Sequence, residues 1–447
     1  MAFNFRRVRI GFVNLILSFL EGQDKAVKMS KDIIAYLRDV LCVDVVEFEE
    51  PVGARKQATA AWKKFNGQDV DAVILFSGTF NTGELTAEIV RNMSCPFLIW
   101  GVGELSLETK SFTGSVVGVM PAATIFKSFQ RPFTSIYGVI AQKEVKESLA
   151  TFVRAVRAIA YLRESAIGVI GMRPDGFQVA GYDELAIKKL FGTEIKNMSL
   201  YTLSKVVNAI DEKQVDADMK VQHEIFEIGK EYEQGARGLS RVYLALKKTV
   251  KDYEVQSYAP DCWPEFRDND QRPMCPANGR LSAEGIMASC ECDVDGSLTM
   301  LALHAMQQDT PWFADLVDIR AEHDALLFWH CGNAPHTLAA KKTKIEKVFG
   351  GPSQVNSMKA GTATVCRINH TAGGGFLIHA GVGTVIESEP LLKGSNLLIR
   401  MNGGNRAYVD SMLSNGIPHH NALIYGDLRA DLREFARLMS IPIVIKD

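Results

Sequence analysis

At 447 residues the chain is longer than one core ordinarily organises, which predicts two or three domains. Apolar residues make up 47% and charged residues 23%, close to the globular average, which excludes a disordered, collagen-like or coiled-coil protein. Lys+Arg total 50 against Asp+Glu 52, so the formal net charge is −2; no basic excess exists to neutralise a phosphate backbone, and no nucleic-acid partner is expected.

Phe5-Arg6-Arg7-Val8-Arg9 ahead of an apolar stretch imitates a secretory signal, but Glu21-Gly22-Gln23-Asp24 follows in place of a small-x-small cleavage pattern. Arg9–Ile16 therefore reads as a first buried strand. The longest apolar runs, such as Ile10–Leu20, reach only about half of the roughly 20 residues a spanning helix needs, so no membrane partner is expected. Lys25–Leu41 then shows helical periodicity through Val27, Ile33, Ile34, Leu37 and Leu41. Strand and helix signals alternate onward: Asp44–Phe48, Gln57–Phe65, Asp71–Ser77, Asn81–Asn92 and Pro96–Trp100. This βαβα rhythm predicts a parallel sheet covered on both faces. No G-x-G-x-x-G follows the first strand, so a dinucleotide fingerprint is absent. A long helix, Glu144–Arg163, closes the first domain, residues 1–165.

A second alternation starts at the strand Ala166–Gly171 and gives a second α/β domain, residues 166–307, with a long helical stretch at Asp211–Lys251 and a buried strand at Gly285–Ser289. In the last stretch, residues 308–447, short β-like runs (Ala360–Ile368, Gly375–Ala380, Gly383–Glu387, Asn396–Arg400) are punctuated by glycines. They predict an antiparallel barrel or sandwich, ended by a helix at Leu428–Leu438 and a strand at Ile441–Ile445. Eight cysteines, mostly inside apolar runs, suit a reducing cytoplasm better than a disulfide framework.

Eight of the nine histidines lie beyond residue 300, and histidine supplies metal ligands and proton shuttles near neutral pH. Four segments carry the candidate chemistry. In Ser289-Cys290-Glu291-Cys292-Asp293-Val294-Asp295-Gly296, Glu291 sits between a buried strand and a helix, where ligands bind open α/β sheets; Asp293 or Asp295 reads as the cap of that helix. In Pro311-Trp312-Phe313-Ala314-Asp315, an Asp straight after Trp-Phe-Ala is expected to be at least partly buried and to need a partner, a metal or a proton; a salt bridge with Arg320 would also serve. In Leu327-Phe328-Trp329-His330-Cys331-Gly332, His330 closes an aromatic strand and could equally be a hydrogen-bonded core histidine, and Cys331 reads as a small buried residue. In Pro418-His419-His420-Asn421, adjacent strand residues face opposite ways, so at most one histidine is expected to face a given site. Carboxylates with neutral imidazoles make a mixed O/N site suited to Mn²⁺, Mg²⁺, Co²⁺ or Zn²⁺. No C-x-x-C pair exists, since Cys290 and Cys292 are only two apart, so a structural zinc site is not expected.

Together these segments resemble the L-fucose isomerase and L-arabinose isomerase superfamily. Glu291-Cys292-Asp293 matches the family's E-x-D metal element, and Phe313-Ala314-Asp315 matches its Phe-Ala-Asp element. His330 matches a histidine of the arabinose branch. His420, the second of its pair, matches the last ligand, ahead of a short strand, a helix and a final strand. Cys262-Trp263-Pro264 looks like the family's substrate-side tryptophan element. The specific motifs cover the last 190 residues or so; the first 250 agree only in architecture. The chain also departs from the family, since it is shorter than the fucose enzymes and Asn14-Leu15-Ile16-Leu17 offers no match for their basic residue after the first strand.

The resemblance implies two Rossmann-like domains followed by a β-barrel. It further implies a cytoplasmic homo-oligomer, a hexamer first, with active sites completed by a neighbouring subunit. The implied activity is aldose–ketose isomerisation through an enediol, with Mn²⁺ the first choice of metal. Glu291 and Asp315 would be catalytic groups and ligands, with His420 and His330 completing the metal set. Trp263, Trp312, Trp329, His419, Asn421 and Arg173 would contact substrate, Arg173 as the partner of an anionic sugar such as sulfoquinovose. A non-catalytic sugar-binding sensor, and a metal-dependent epimerase or hydrolase, are the alternatives.

Overall fold

The computed structural model describes residues 5–105, 107–110, 112–266 and 273–446. They form two compact units, one of residues 5–160 and 430–440, the other of residues 161–429 and 441–446.

The first unit is built on β1 (Arg9–Leu15), β2 (Asp44–Val52), β3 (Ala72–Ser77), β4 (Phe97–Gly101) and β5 (Thr134–Tyr137). They form a parallel sheet in the order β2-β1-β3-β4-β5. β3 and β4 are buried on both faces, as near-continuous apolar runs require when helices cover a parallel sheet. The covering helices are one-sided: Gln23–Asp39 buries Ala26, Ser30, Ile33, Ile34 and Leu37, a helical stripe, and exposes its charges. The helix Arg429–Met439 also packs here, with buried Asp431 accepting from Arg154 Nε at 2.7 Å. The predicted stretch 308–447 thus feeds both units.

The second unit begins with β6 (Ala166–Ile170), β7 (Glu194–Met198), β8 (Phe226–Ile228), β9 (Ser257–Pro260) and β10 (Met287–Ala288). Four of them make a parallel sheet, β10-β9-β6-β7. The remaining strands are β11 (Trp312–Arg320), β12 (Ala325–His330), β13 (Thr343–Val348), β14 (Gly351–Ser357), β15 (Gly361–Thr371), β16 (Gly375–Ile386), β17 (Ser395–Met401), β18 (His420–Tyr425) and β19 (Ile443–Lys446). Six of these close a barrel, β16-β15-β18-β11-β12-β17, every pairing antiparallel and the last made by β17 with β16. β19 adds to β16 on one side, and β14, β13 and β8 extend from β17 on the other.

Alternate residues of the barrel strands fill its interior: Trp312 and Ala314, Leu326 and Phe328, Ala363 and Val365, Leu397 and Ile399, and Leu423. The helix Val294–Gln307 is apolar on nearly all sides. It is buried from Val294 to Met306 because it packs on β6 and β9 of the sheet as well as on β15 and β18 of the barrel. Two segments differ from expectation. Asp211–Lys251 is two helices, Glu212–Ile225 and Glu233–Asp252, interrupted by β8, and the runs around Gly381 and Gly383 are one strand, β16. Those glycines keep the strand continuous while letting neighbours close in: a Cβ at Gly383 would meet the Arg400 carbonyl oxygen at 2.4 Å, and one at Gly381 would meet the Tyr408 ring at 2.6 Å.

Candidate active site

The pleat of the barrel builds half of the site. Asp315 on β11 stands opposite His420 on β18 and opposite Trp329 on β12. With Trp312, Ala314 and Leu423 turned inward, these three residues share the outer face of the barrel wall. The other half comes from the turn after β10. There the chain passes through two consecutive left-handed residues, Glu291 (φ 53°) and Cys292 (φ 56°), a conformation that costs non-glycine residues about 1–3 kcal/mol each. Asp293 then caps the helix Val294–Gln307, its Oδ1 accepting from Gly296 N at 2.8 Å.

The two halves converge on one imidazole. His420 Nε2 lies 3.2 Å from Glu291 Oε2 and 3.3 Å from Asp315 Oδ1, and its Nδ1 is 2.9 Å from Asp293 Oδ2. Asp293 is gripped from behind by Arg367 on β15, with Nη1 at 2.6 Å from Oδ2 and Nη2 at 3.0 Å from Oδ1. Both partners are buried, and Arg367 has no exposure to solvent.

These contacts set the charges. Burial works against an ionised Asp293, but the Arg367 guanidinium and His420 outweigh it and hold the carboxyl well below its usual range. Burial likewise disfavours a charged His420, yet hydrogen bonds with Asp293 and Glu291 and the nearby Asp315 carboxylate raise its pKa to about 10. Three carboxylates around one imidazole thus call for positive charge at this spot. Asp315 Oδ1 is buried and, despite its proximity to His420, has no aligned hydrogen bond. Glu291, His419 and His420 place one donor atom each within 4.8 Å of one another, a spacing a single cation can span.

Both histidines of the pair border this cluster, with ring centroids 4.1 Å apart and His419 Nε2 at 3.9 Å from Asp315 Oδ1. The expectation that one must turn away fails because β18 begins at His420, so strand alternation does not extend to His419. Burial and the neighbouring His420 charge push His419 down.

A cavity of about 350 Å³ opens on this cluster, lined in part by Glu291, Asp315, Trp263, Trp329, His330 and Phe349. Trp263 stacks edge-on against Phe177 and Trp329 against Phe349. His330 is in the cavity wall, but its ring nitrogen groups with the sulfurs of Cys275 and Cys331. Burial lowers its pKa, but the Cys331 thiol and Asp315 outweigh burial and raise it to about 9.

Three expected substrate contacts lie elsewhere. Trp312 is in the barrel core, its Nε1 donating to Asn333 Oδ1 at 2.8 Å, because its place on β11 faces inward. Asn421 is one residue from His420, hence on the inner face, fully buried and donating to the His419 carbonyl oxygen at 2.9 Å. Arg173 is exposed beyond β6, its guanidinium beside Gly181 and not among the described residues of the cavity wall. Conversely, Asp293 was legible only as a cap, and Arg367, inside an ordinary β run, carried no signal beyond being a charge flanked by Cys366 and Ile368.

The chain matches the family model described as "Fucose/sulfoquinovose isomerase, N-terminal domain" over residues 20–163, and "L-fucose isomerase, C-terminal domain" over residues 328–446. It is 24% identical to the sulfoquinovose isomerase of Priestia aryabhattai over 407 residues, 90% of this chain and 91% of that protein. It is 24% identical to that of Alkalicoccus urumqiensis over 381 residues, 84% and 86% of the two chains, and 22% identical to that of Clostridium sp. (strain MSTE9) over 378 residues, 83% and 85%. Among solved structures, an ABC transporter periplasmic solute binding protein from Actinobacillus succinogenes 130z aligns over 68% of this chain and 93% of its own, at 11% identity and a TM-score of 0.17, too low to bear on fold or function. With both family models matched at opposite ends of the chain and relatives aligned across most of its length, the protein belongs to the fucose isomerase-like family of aldose–ketose isomerases.

Proposed function

We propose that this chain is a metal-dependent isomerase of a sulfonated aldose of the sulfoquinovose class, with Glu291, Asp315 and His420 holding the cation. The meeting of two carboxylates and one imidazole from three distant segments at a single cavity carries this reading. The donor set fits a hard or borderline divalent ion, Mn²⁺ first and Mg²⁺, Co²⁺ or Zn²⁺ after it, and Asp315 Oδ1, which has no aligned hydrogen bond, is an oxygen such an ion would take up. When bound, the ion supplies a Lewis acid for the negative charge that develops on two adjacent sugar oxygens.

The chain's own groups do the rest. Isomerisation moves a proton between C1 and C2, which requires one carboxylate to remove it and a second group to return it. Glu291 and Asp315 are the groups placed for this. Asp293, fixed by Arg367, holds His420 by its Nδ1. Trp263 and Trp329 give the sugar ring apolar walls, and half-exposed His419 stands beside Asp315. None of the described residues of the cavity wall is Lys or Arg. A sulfonate would therefore be met by residues outside that set, consistent with a cytoplasmic homo-oligomer, a hexamer first, in which a neighbouring subunit completes the site. The sulfoquinovose isomerases among its relatives support the substrate class.

The test is to incubate the metal-stripped chain with Mn²⁺ in D₂O and a panel of L-fucose, D-arabinose, L-arabinose and sulfoquinovose. The expected result is ketose only with metal, deuterium at the carbon that receives the proton, and sulfoquinovose as the preferred substrate. Faster turnover of a neutral sugar would overturn the substrate class, and turnover without metal would overturn the assigned cation.

A further inference from the structure

Four cysteines line the same cavity and take no part in the proposed isomerisation. Cys262, Cys275, Cys290 and Cys331 come from the end of β9, the start of the helix Cys275–Ala283, the end of β10 and the end of β12. Cys290 Sγ touches Cys262 Sγ at 2.9 Å, and the Cys331 N–H donates to His330 Nδ1 at 2.8 Å. The sulfurs of Cys275 and Cys331 and a ring nitrogen of His330 lie within 4.8 Å of one another. All are free thiols, and three of the four are buried.

We infer that Cys275, Cys331 and His330, with Cys262 as fourth donor, form a second metal site, for a thiophilic divalent cation of the Zn²⁺ class. A tetrahedral site with Zn–S near 2.3 Å and Zn–N near 2.0 Å needs donors about 3.5–3.8 Å apart, which the 4.8 Å limit on Cys275, Cys331 and His330 admits. Sulfur donors select against Mn²⁺ and Mg²⁺, which prefer oxygen, so the cavity wall carries a soft site beside the hard one of Glu291, Asp315 and His420. Binding turns each ligating thiol into a thiolate and releases its proton to solvent. The ligands are spread over four segments, so no C-x-x-C spacing announces them. The ion would tie the Trp263 and His330 segments to the helix that starts at Cys275, fixing one wall of the cavity independently of the isomerase metal.

The experiment is a titration of the reduced, metal-free full chain with Co²⁺ in a phosphine reductant. The expected result is an intense near-ultraviolet sulfur-to-cobalt band with visible tetrahedral bands, saturating at a single thiolate-bound ion and displaced by Zn²⁺. Glu291→Gln should leave these bands unchanged, since that residue belongs to the other site. Cys331→Ser, at the least buried of the four thiols, and Cys275→Ser should each abolish the charge-transfer band while far-ultraviolet circular dichroism stays unchanged. Absence of the band in the reduced wild-type chain, or its survival in both cysteine variants, would overturn the site. Mn²⁺-dependent turnover is read separately, so failure here leaves the isomerase reading standing.

Discussion

Asp293 holds His420 and Arg367 at once: its Oδ2 is 2.9 Å from His420 Nδ1 and 2.6 Å from Arg367 Nη1. It therefore orients a ligand and neutralises a buried cation with a single carboxylate. Asp293→Asn should weaken Mn²⁺ binding by about 10–100-fold, the usual cost of losing a carboxylate behind a metal-bound histidine. It should also destabilise the fold by about 3 kcal/mol, because buried Arg367 loses its hydrogen-bonded counter-charge and keeps only Asp295 at 4.0 Å. Adding Arg367→Met should restore part of the stability but none of the affinity. Calorimetric Mn²⁺ titration and urea unfolding of the single and double variants separate the two roles; equal recovery of both quantities would contradict the assignment.

Glu291 and Asp315 contribute differently from Asp293, because neither pairs with the buried Arg367. Glu291→Gln and Asp315→Asn should each lower turnover by at least the roughly 10²–10⁴-fold that a positioned acid–base group supplies. The unfolding midpoint should move little. Steady-state assays and thermal melts on the same preparations check both parts, and wild-type turnover in either variant would reject the roles.

The parallel sheets were legible because strands such as Ala72–Ser77 are short apolar runs and helices such as Gln23–Asp39 carry a clear apolar stripe. The helix Ser115–Ser128 was not, since it is apolar on most sides and contains Pro121. The helix Asn405–Ser414, begun after Gly403-Gly404 amid β runs, has only a weak stripe. At the site, Glu291 and Asp315 stood out by their local settings, whereas His420 was told from His419 only by the family resemblance. Arg367 and the sulfur cluster could not, because their meaning arises only when segments 74 and 69 positions apart, Asp293 with Arg367 and Cys262 with Cys331, come together. The inner or outer placing of Trp312 and Asn421 depended on strand register, which one residue inverts.

That register yields a contrast between two tryptophans on neighbouring strands. Trp312 fills the barrel core and Trp329 borders the cavity. Trp312→Ala should cost about 3–5 kcal/mol, combining a cavity with an unpaired Asn333. Trp329→Ala should raise KM for the sugar with a much smaller change in stability. Urea unfolding and steady-state kinetics on both variants test this, and a KM effect confined to Trp312→Ala would invert the reading of which face meets substrate.

Below about pH 6.5 two buried histidines should cost the second unit stability, opposed in part by Asp261, whose carboxyl burial raises to about 6. His304 and His379 are buried, and burial lowers each to about 4 in the folded state; a hydrogen bond to the Asp309 carbonyl only partly offsets it for His304, and Lys446 adds to it for His379. An unfolded histidine titrates near 6.5, so between about pH 6.5 and 4 the unfolded chain binds protons that the folded chain refuses. The contribution of these two histidines is therefore intact above pH 6.5 and lost as pH drops to 4, up to roughly 3 kcal/mol for each. His420 and His330 do not add to this fall, because groups raised to about 10 and about 9 are protonated in both states below pH 6.5. Unfolding by urea at stepped pH should show the decline. In His379→Gln, which keeps a donor for Ser411 Oγ, the decline should become shallower; an unchanged slope would mean that His379 is not held neutral.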